Sequence, residues 1–127
     1  MIKSKYILDI LNLLLDGDND GIKARQQIEY LTESNYEYTE SGVFISFKHN
    51  KGIKKHQTEK EKLILDGVKI KSKKLKFEAN ATLFFEKGII NYLEIWCYDG
   101  KYPENELKNY ELTQEWENSP KRKIITE

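Results

Sequence analysis

Residues 88–100, GIINYLEIWCYDG, constrain the fold more tightly than any other stretch of the chain. The segment alternates, and a strand sends successive side chains to opposite faces. Ile89, Leu93, Ile95 and Cys97 fall on one face; Ile90, Tyr92, Trp96 and Tyr98 fall on the other, broken by Glu94. A strand with one wet face would carry polar residues there. This strand therefore sits in a sheet whose second face is either covered from within the chain or presented to a partner.

The rest of the chain supplies that sheet and one cover for it. In residues 2–15, Tyr6, Ile7, Ile10, Leu11, Leu14 and Leu15 recur at helical spacing, which predicts an amphipathic helix. A second helix is predicted over 21–32, capped by Asp18, Asn19 or Asp20. The short connection between them predicts an antiparallel helical hairpin. Strand patterns follow at 43–47, 62–65 and 75–86, with Asp66-Gly67 reading as a turn and Glu86-Lys87-Gly88 as a hairpin. In the long strand, Leu75, Phe77, Ala79, Ala81, Leu83 and Phe85 share a face.

Two helices followed by hairpin-linked strands predict an α+β fold. Its N-terminal helical hairpin packs on one face of an antiparallel sheet of four or more strands. The covered face is expected to hold Val43, Ile45, Phe47, Leu63, Leu65, Leu83, Leu93 and Ile95. The opposite face then carries Phe44, Ile64, Phe84, Tyr92, Trp96 and Tyr98. The segment with Leu107, Tyr110, Leu112 and Trp116 is the part of the chain available to fold across it, as a short helix or an edge segment. Residues 1–127 read as a single domain, a usual size for one, with 119–127 a frayed tail.

Formal net charge is zero, but its distribution is uneven: −4 over residues 1–47, +8 over 48–76 and −4 over 77–127. The basic middle holds eleven lysines, yet the whole chain has only two arginines and this segment lacks interleaved aromatics to stack bases. That argues against a nucleic-acid module and for solvated loops and lysine-protected edges. No run approaches the ~20 apolar residues of a membrane span. The N-terminal apolar run is interrupted by Asp9 and Asn12 and leads into DGDND, so it reads as a helix rather than a signal peptide. The single Cys97 excludes an intrachain disulfide and fits a reducing, cytoplasmic setting.

Residues 16–21, DGDNDG, match the first half of a calcium loop, but position twelve is the neutral Gln27 and position eight is Lys23. A capped turn between helices explains the same residues. His49 and His56 fall short of a zinc ligand set. No nucleophile–base pair or glycine-rich phosphate loop is legible, so neither a catalytic residue nor a cofactor is expected. Glu94, set among Tyr92, Trp96 and Tyr98, reads as an acidic contact inside an aromatic patch.

Two stretches, ILNLLLDGDNDGIKARQQIEYL with YTESGVFISF (within 10–47) and LFFEKGIINYLEIWCYDGKYP (83–103), resemble small bacterial proteins encoded beside secreted toxins, the immunity type. The resemblance covers about half of the chain and implies an α+β fold and toxin neutralisation. The expectation is a non-enzymatic protein that occludes a toxin through Phe44, Phe84, Tyr92, Glu94, Trp96 and Tyr98. Asp99, Glu104 and Glu106 would pair with basic residues of the partner. The alternative is a homodimer that buries the same face against itself, with a structural or small-ligand function.

Overall fold

The computed structural model describes residues 1–17 and 19–126. Ser4 opens helix α1 (Lys5–Leu14) by accepting a hydrogen bond from the Ile7 amide at 3.1 Å, which satisfies one of the orphan donors of the first turn. Tyr6, Ile7, Ile10, Leu11, Leu13 and Leu14 are buried. Helix α2 (Asn19–Ala24) is a short piece that passes into a 3₁₀ helix, Arg25–Tyr30. The long second helix expected over 21–32 does not form, and its last two residues already belong to a strand. A six-residue helix is not self-supporting; tertiary contacts hold this one. Arg25 bonds the Asn12 side chain at 2.9 Å and its carbonyl at 3.0 Å. Buried Gln27 donates to the carbonyls of His56 (2.9 Å) and Gly88 (3.0 Å) and accepts from the Ile90 amide at 2.8 Å. The cap expected from Asp18 lies outside the described residues.

Seven strands follow: β1 (Leu31–Thr39), β2 (Gly42–His49), β3 (Ile64–Ser72), β4 (Phe77–Glu86), β5 (Ile89–Asp99), β6 (Tyr110–Gln114) and β7 (Lys123–Thr126). They form one antiparallel sheet in the order β1-β2-β5-β4-β3-β6-β7. The β4–β5 turn has positive φ at both Lys87 (53°) and Gly88 (75°), the backbone of a tight hairpin whose twist matches its strands.

Four expectations change here, and bulges explain two of them. Asp66-Gly67 is not a turn. Asp66 pairs with Thr82 and Val68 with Ala81, leaving Gly67 as an extra residue at φ 102° inside β3. The bulge shifts the alternation by one, so Leu65, Val68 and Ile70 are all buried. In β5, Tyr92 pairs with Phe84 and Ile90 with Phe85, so Asn91 is extra. Ile90 therefore turns into the core, fully buried, instead of joining Tyr92. Leu75 precedes β4 in an exposed turn and does not join its buried face. Finally, the stretch expected to fray carries β7, which pairs with β6, and Ser119 is buried. Glu127 lies outside the described residues.

The core lies between α1 and one face of the sheet. All eight residues expected on the covered face are buried there, joined by Phe77, Ala79, Ala81 and Phe85 of β4. Asp16, just past α1, bonds both arginines of the chain: Arg122 at 2.9 Å and Arg25 at 3.3 Å. Gln114 of β6 donates to Asp16 at 3.1 Å and to the Leu13 carbonyl at 3.0 Å. Residues of the half calcium pattern thus serve as an internal junction. No cluster of metal-ligating side chains occurs among the described residues.

Candidate functional site: the open face of the sheet

The face turned away from α1 is read from cross-strand pairing. One row runs Ser46, Tyr92, Phe84, Ile64 across β2, β5, β4 and β3; the next runs Phe44, Glu94, Thr82, Asp66. A third carries Trp96, Asn80, Lys69 and Thr113. The six central residues named from the sequence, Phe44, Phe84, Tyr92, Glu94, Trp96 and Tyr98, therefore share one surface. The Phe84 and Tyr92 rings stack at 4.5 Å and 12°, and Phe44 tilts against Tyr92 at 6.2 Å. Trp96 and Tyr98 lie 6.1 Å apart and are more exposed, at 52% and 42%, and Ile64 is 58% exposed.

Charge on this face is arranged beside the rings. Lys69 reaches Glu78 at 2.9 Å and Glu115 at 3.8 Å. A hydrogen bond from Lys69 holds the Glu78 carboxyl below its ordinary range. Tyr98 donates to the same Glu78 at 3.4 Å, and burial raises its phenol above the usual value. No described side chain forms a hydrogen bond or ion pair with the carboxylates of Glu94 or Asp66.

The C-terminal segment does not cover this surface. Leu107, Tyr110 and Leu112 are buried on the helix side, and so is Tyr102, whose hydroxyl lies 2.9 Å from that of Tyr6. Thr113, Glu115 and Trp116 reach the open side only at its edge. Trp116 follows β6 and, together with Asp66, Gly67, Asn80, Thr82, Glu94, Trp96 and Glu115, lines a shallow depression of about 650 Å³. Sequence reasoning placed Trp116 near this face and put Asn80 and Thr82 on the Phe84 side of the long strand, without naming them as contact residues; it missed Asp66 and Glu115. The signal for Asn80 and Thr82 was present, since they alternate with the buried Ala79, Ala81 and Leu83.

The outlying acidic residues separate. Asp99 pairs with Glu78 at the end of β5 and stays on the open face. Glu104 and Glu106 instead lie beside Tyr36 and Tyr38 of β1, which pair with the core residues Ile45 and Val43. That is the helix side of the sheet, so these two carboxylates cannot act on one contact surface with Trp96. Burial, with Glu33 and Glu106 nearby, pushes the Tyr36 phenol well above its usual range.

Cys97 points to the core side, and burial raises its thiol above the ordinary value, which keeps it in the unreactive thiol form. The eleven lysines of 48–76 are spread along the chain: Lys48 lies on β2, Lys51, Lys54, Lys55, Lys60 and Lys62 fall between β2 and β3, Lys69 and Lys71 lie on β3, and Lys73, Lys74 and Lys76 follow it. No helix among the described residues is long and apolar enough to cross a membrane. No protein-family model matches the chain, and neither a curated protein nor a solved structure matches it.

Proposed function

We propose that this protein is a non-enzymatic binding protein that docks a protein partner on the open sheet face, and that it acts as an immunity protein occluding a bacterial toxin. The observation that carries the reading is the shared exposure of Ile64, Trp96 and Tyr98 beside the Phe44–Tyr92–Phe84 cluster. Large aromatic side chains anchor interfaces because they bury much area for little lost freedom. The carboxylates of Glu94 and Asp66, with which no described side chain pairs, give the face an acidic character. It is suited to a basic surface, such as the phosphate-binding cleft of a nuclease, and electrostatic steering would speed the encounter. The resemblance to toxin-neighbour proteins supplies the choice of partner.

The test is co-expression with the protein encoded beside it, scored by growth and co-purification. Toxicity of the neighbour alone, relieved by this chain in a stable complex, is the expected result. Within that complex, Trp96→Ala combined with Glu94→Ala should weaken affinity by about 2 kcal/mol or more. A harmless neighbour that forms no complex removes the immunity reading. A concentration-dependent dimer whose formation Trp96→Ala abolishes would assign the face to a second copy instead.

A further inference from the structure

We infer that the depression between Trp96 and Trp116 receives one arginine side chain of the protein partner; this rests on the reading that the open face docks a partner. The depression exists because β4 and β3, the two strands between its walls, carry short side chains there. Trp96 stands on β5, Asn80 and Thr82 of β4 form the floor, and Asp66 and Gly67 of β3 lie beyond. Three strand spacings put β5 and β6 about 14 Å apart.

The far wall is a fixed surface. A Cβ at Gly67 would sit 3.0 Å from the Trp116 ring, and one at Gly17 would sit 2.8 Å from it. The indole therefore packs against two glycines, one in the β3 bulge and one past α1. Removing the bulge glycine would push it away.

The chemistry of the lining selects a planar cation. Asp66, Glu94 and Glu115 place three carboxylates around the depression, and the floor adds the side-chain oxygens of Asn80 and Thr82. Lys69, paired across the sheet with Asn80, is drawn to Glu78 at 2.9 Å and lies 3.8 Å from Glu115, and no described side chain pairs with Glu94 or Asp66. An indole face attracts a cation through its quadrupole. A guanidinium can stack flat on that face while its edge N–H groups reach carboxylates on two sides, which a compact ammonium does not do.

Trp96 and Trp116 are the only tryptophans of the chain, so their indole N–H resonances report on the depression directly. The experiment titrates the purified protein with three acetylated, amidated tripeptides that differ at the central residue: Gly-Arg-Gly, Gly-Lys-Gly and Gly-citrulline-Gly. The arginine peptide should shift both indole resonances along a saturating curve. The citrulline isostere, which lacks the charge, should bind about two- to fivefold more weakly, the scale of an exposed charge pair, and the lysine peptide should bind more weakly because its ammonium does not stack flat. Glu94→Gln and Asp66→Asn should each weaken the arginine peptide by about the same factor, with the rest of the spectrum unmoved. The proposal is overturned if the peptides bind alike, if no shift saturates, or if neither variant changes the curve. The titration uses no partner, so its failure and a harmless neighbour in co-expression are separate results.

Discussion

The two faces of one sheet use the same strands and opposite solutions. Toward α1, the strands present aliphatic and small residues together with rings such as Phe47, Phe77 and Phe85, all buried, and the helix fills what they leave. Among the described residues every buried side-chain nitrogen or oxygen on that side has a hydrogen-bond partner. Away from α1, the same strands present rings and charges. There the rings partly cover one another, as Phe84 and Tyr92 do at 4.5 Å, while Trp96 and Ile64 remain exposed. The difference teaches that hydrophobicity on both faces of a strand does not imply two covers. Side chains on the helix side, rings included, leave water under another layer; the rings of the open face gain from lateral stacking and keep a face for a partner.

The sharpest way to break the comparison is to truncate one large residue on each face. Leu83→Ala, fully buried on β4, should lower unfolding free energy by about 2–5 kcal/mol. Trp96→Ala should change it by less than about 0.5 kcal/mol while it weakens partner binding. Denaturant melts of the two variants check both, and equal losses would show that the open face is structural.

The next largest effect is expected at Gln27. Gln27→Leu removes the side-chain partner of the His56 carbonyl and of the Ile90 amide, while the Gly88 carbonyl keeps the Thr58 amide at 2.9 Å, at a cost of about 2–3 kcal/mol. Hydrogen exchange at Ile90 should speed up first, because its amide proton is the one released.

Gly67→Ala links the two faces and should cost about 1–2 kcal/mol, from the left-handed backbone of the bulge and the contact with Trp116. Its diagnostic is a shift of the Trp116 indole resonance, accompanied by a smaller one at Trp96.

The smallest effects are on the pH limbs of stability. Burial alone would raise the Asp16 carboxyl, but hydrogen bonds from Gln114 and Arg122 and the charges of Arg122 and Arg25 bring it below its ordinary value. A lowered acid contributes stability above the unfolded pKa that is lost as pH falls through the folded one. Asp16→Asn should therefore flatten the acid limb. Tyr6 runs the other way. Burial and its hydroxyl neighbours raise it well above 10.0, so stability is present below that pH and is lost as pH rises through the folded pKa. Tyr6→Phe should flatten the alkaline limb, read from melts across both ranges.

Much of the layout was legible in the chain. Period-two alternation in 77–86 and 89–99 announced long strands, and period three-to-four spacing in 5–14 announced their cover. The six aromatic and acidic residues of the open face were legible too, because alternation within a strand fixes which side chains travel together. What escaped was where alternation resets. Nothing local distinguishes Asp66-Gly67 as a bulge from Asp66-Gly67 as a turn; the choice depends on whether β4 continues alongside. The same holds at Asn91, whose bulge sent Ile90 into the core.

By itself, then, the sequence determined the α+β class and the company of side chains within each strand, since both follow from the stereochemistry of short segments. Tertiary structure decided which segments share a surface. It carried Glu104 and Glu106 to the helix side and placed Trp116 across from Trp96. It also recruited 123–126 as a seventh strand. These outcomes depend on pairing between segments far apart in the chain, where the hydrogen bonds of one strand are completed by another, and no local pattern encodes that partner.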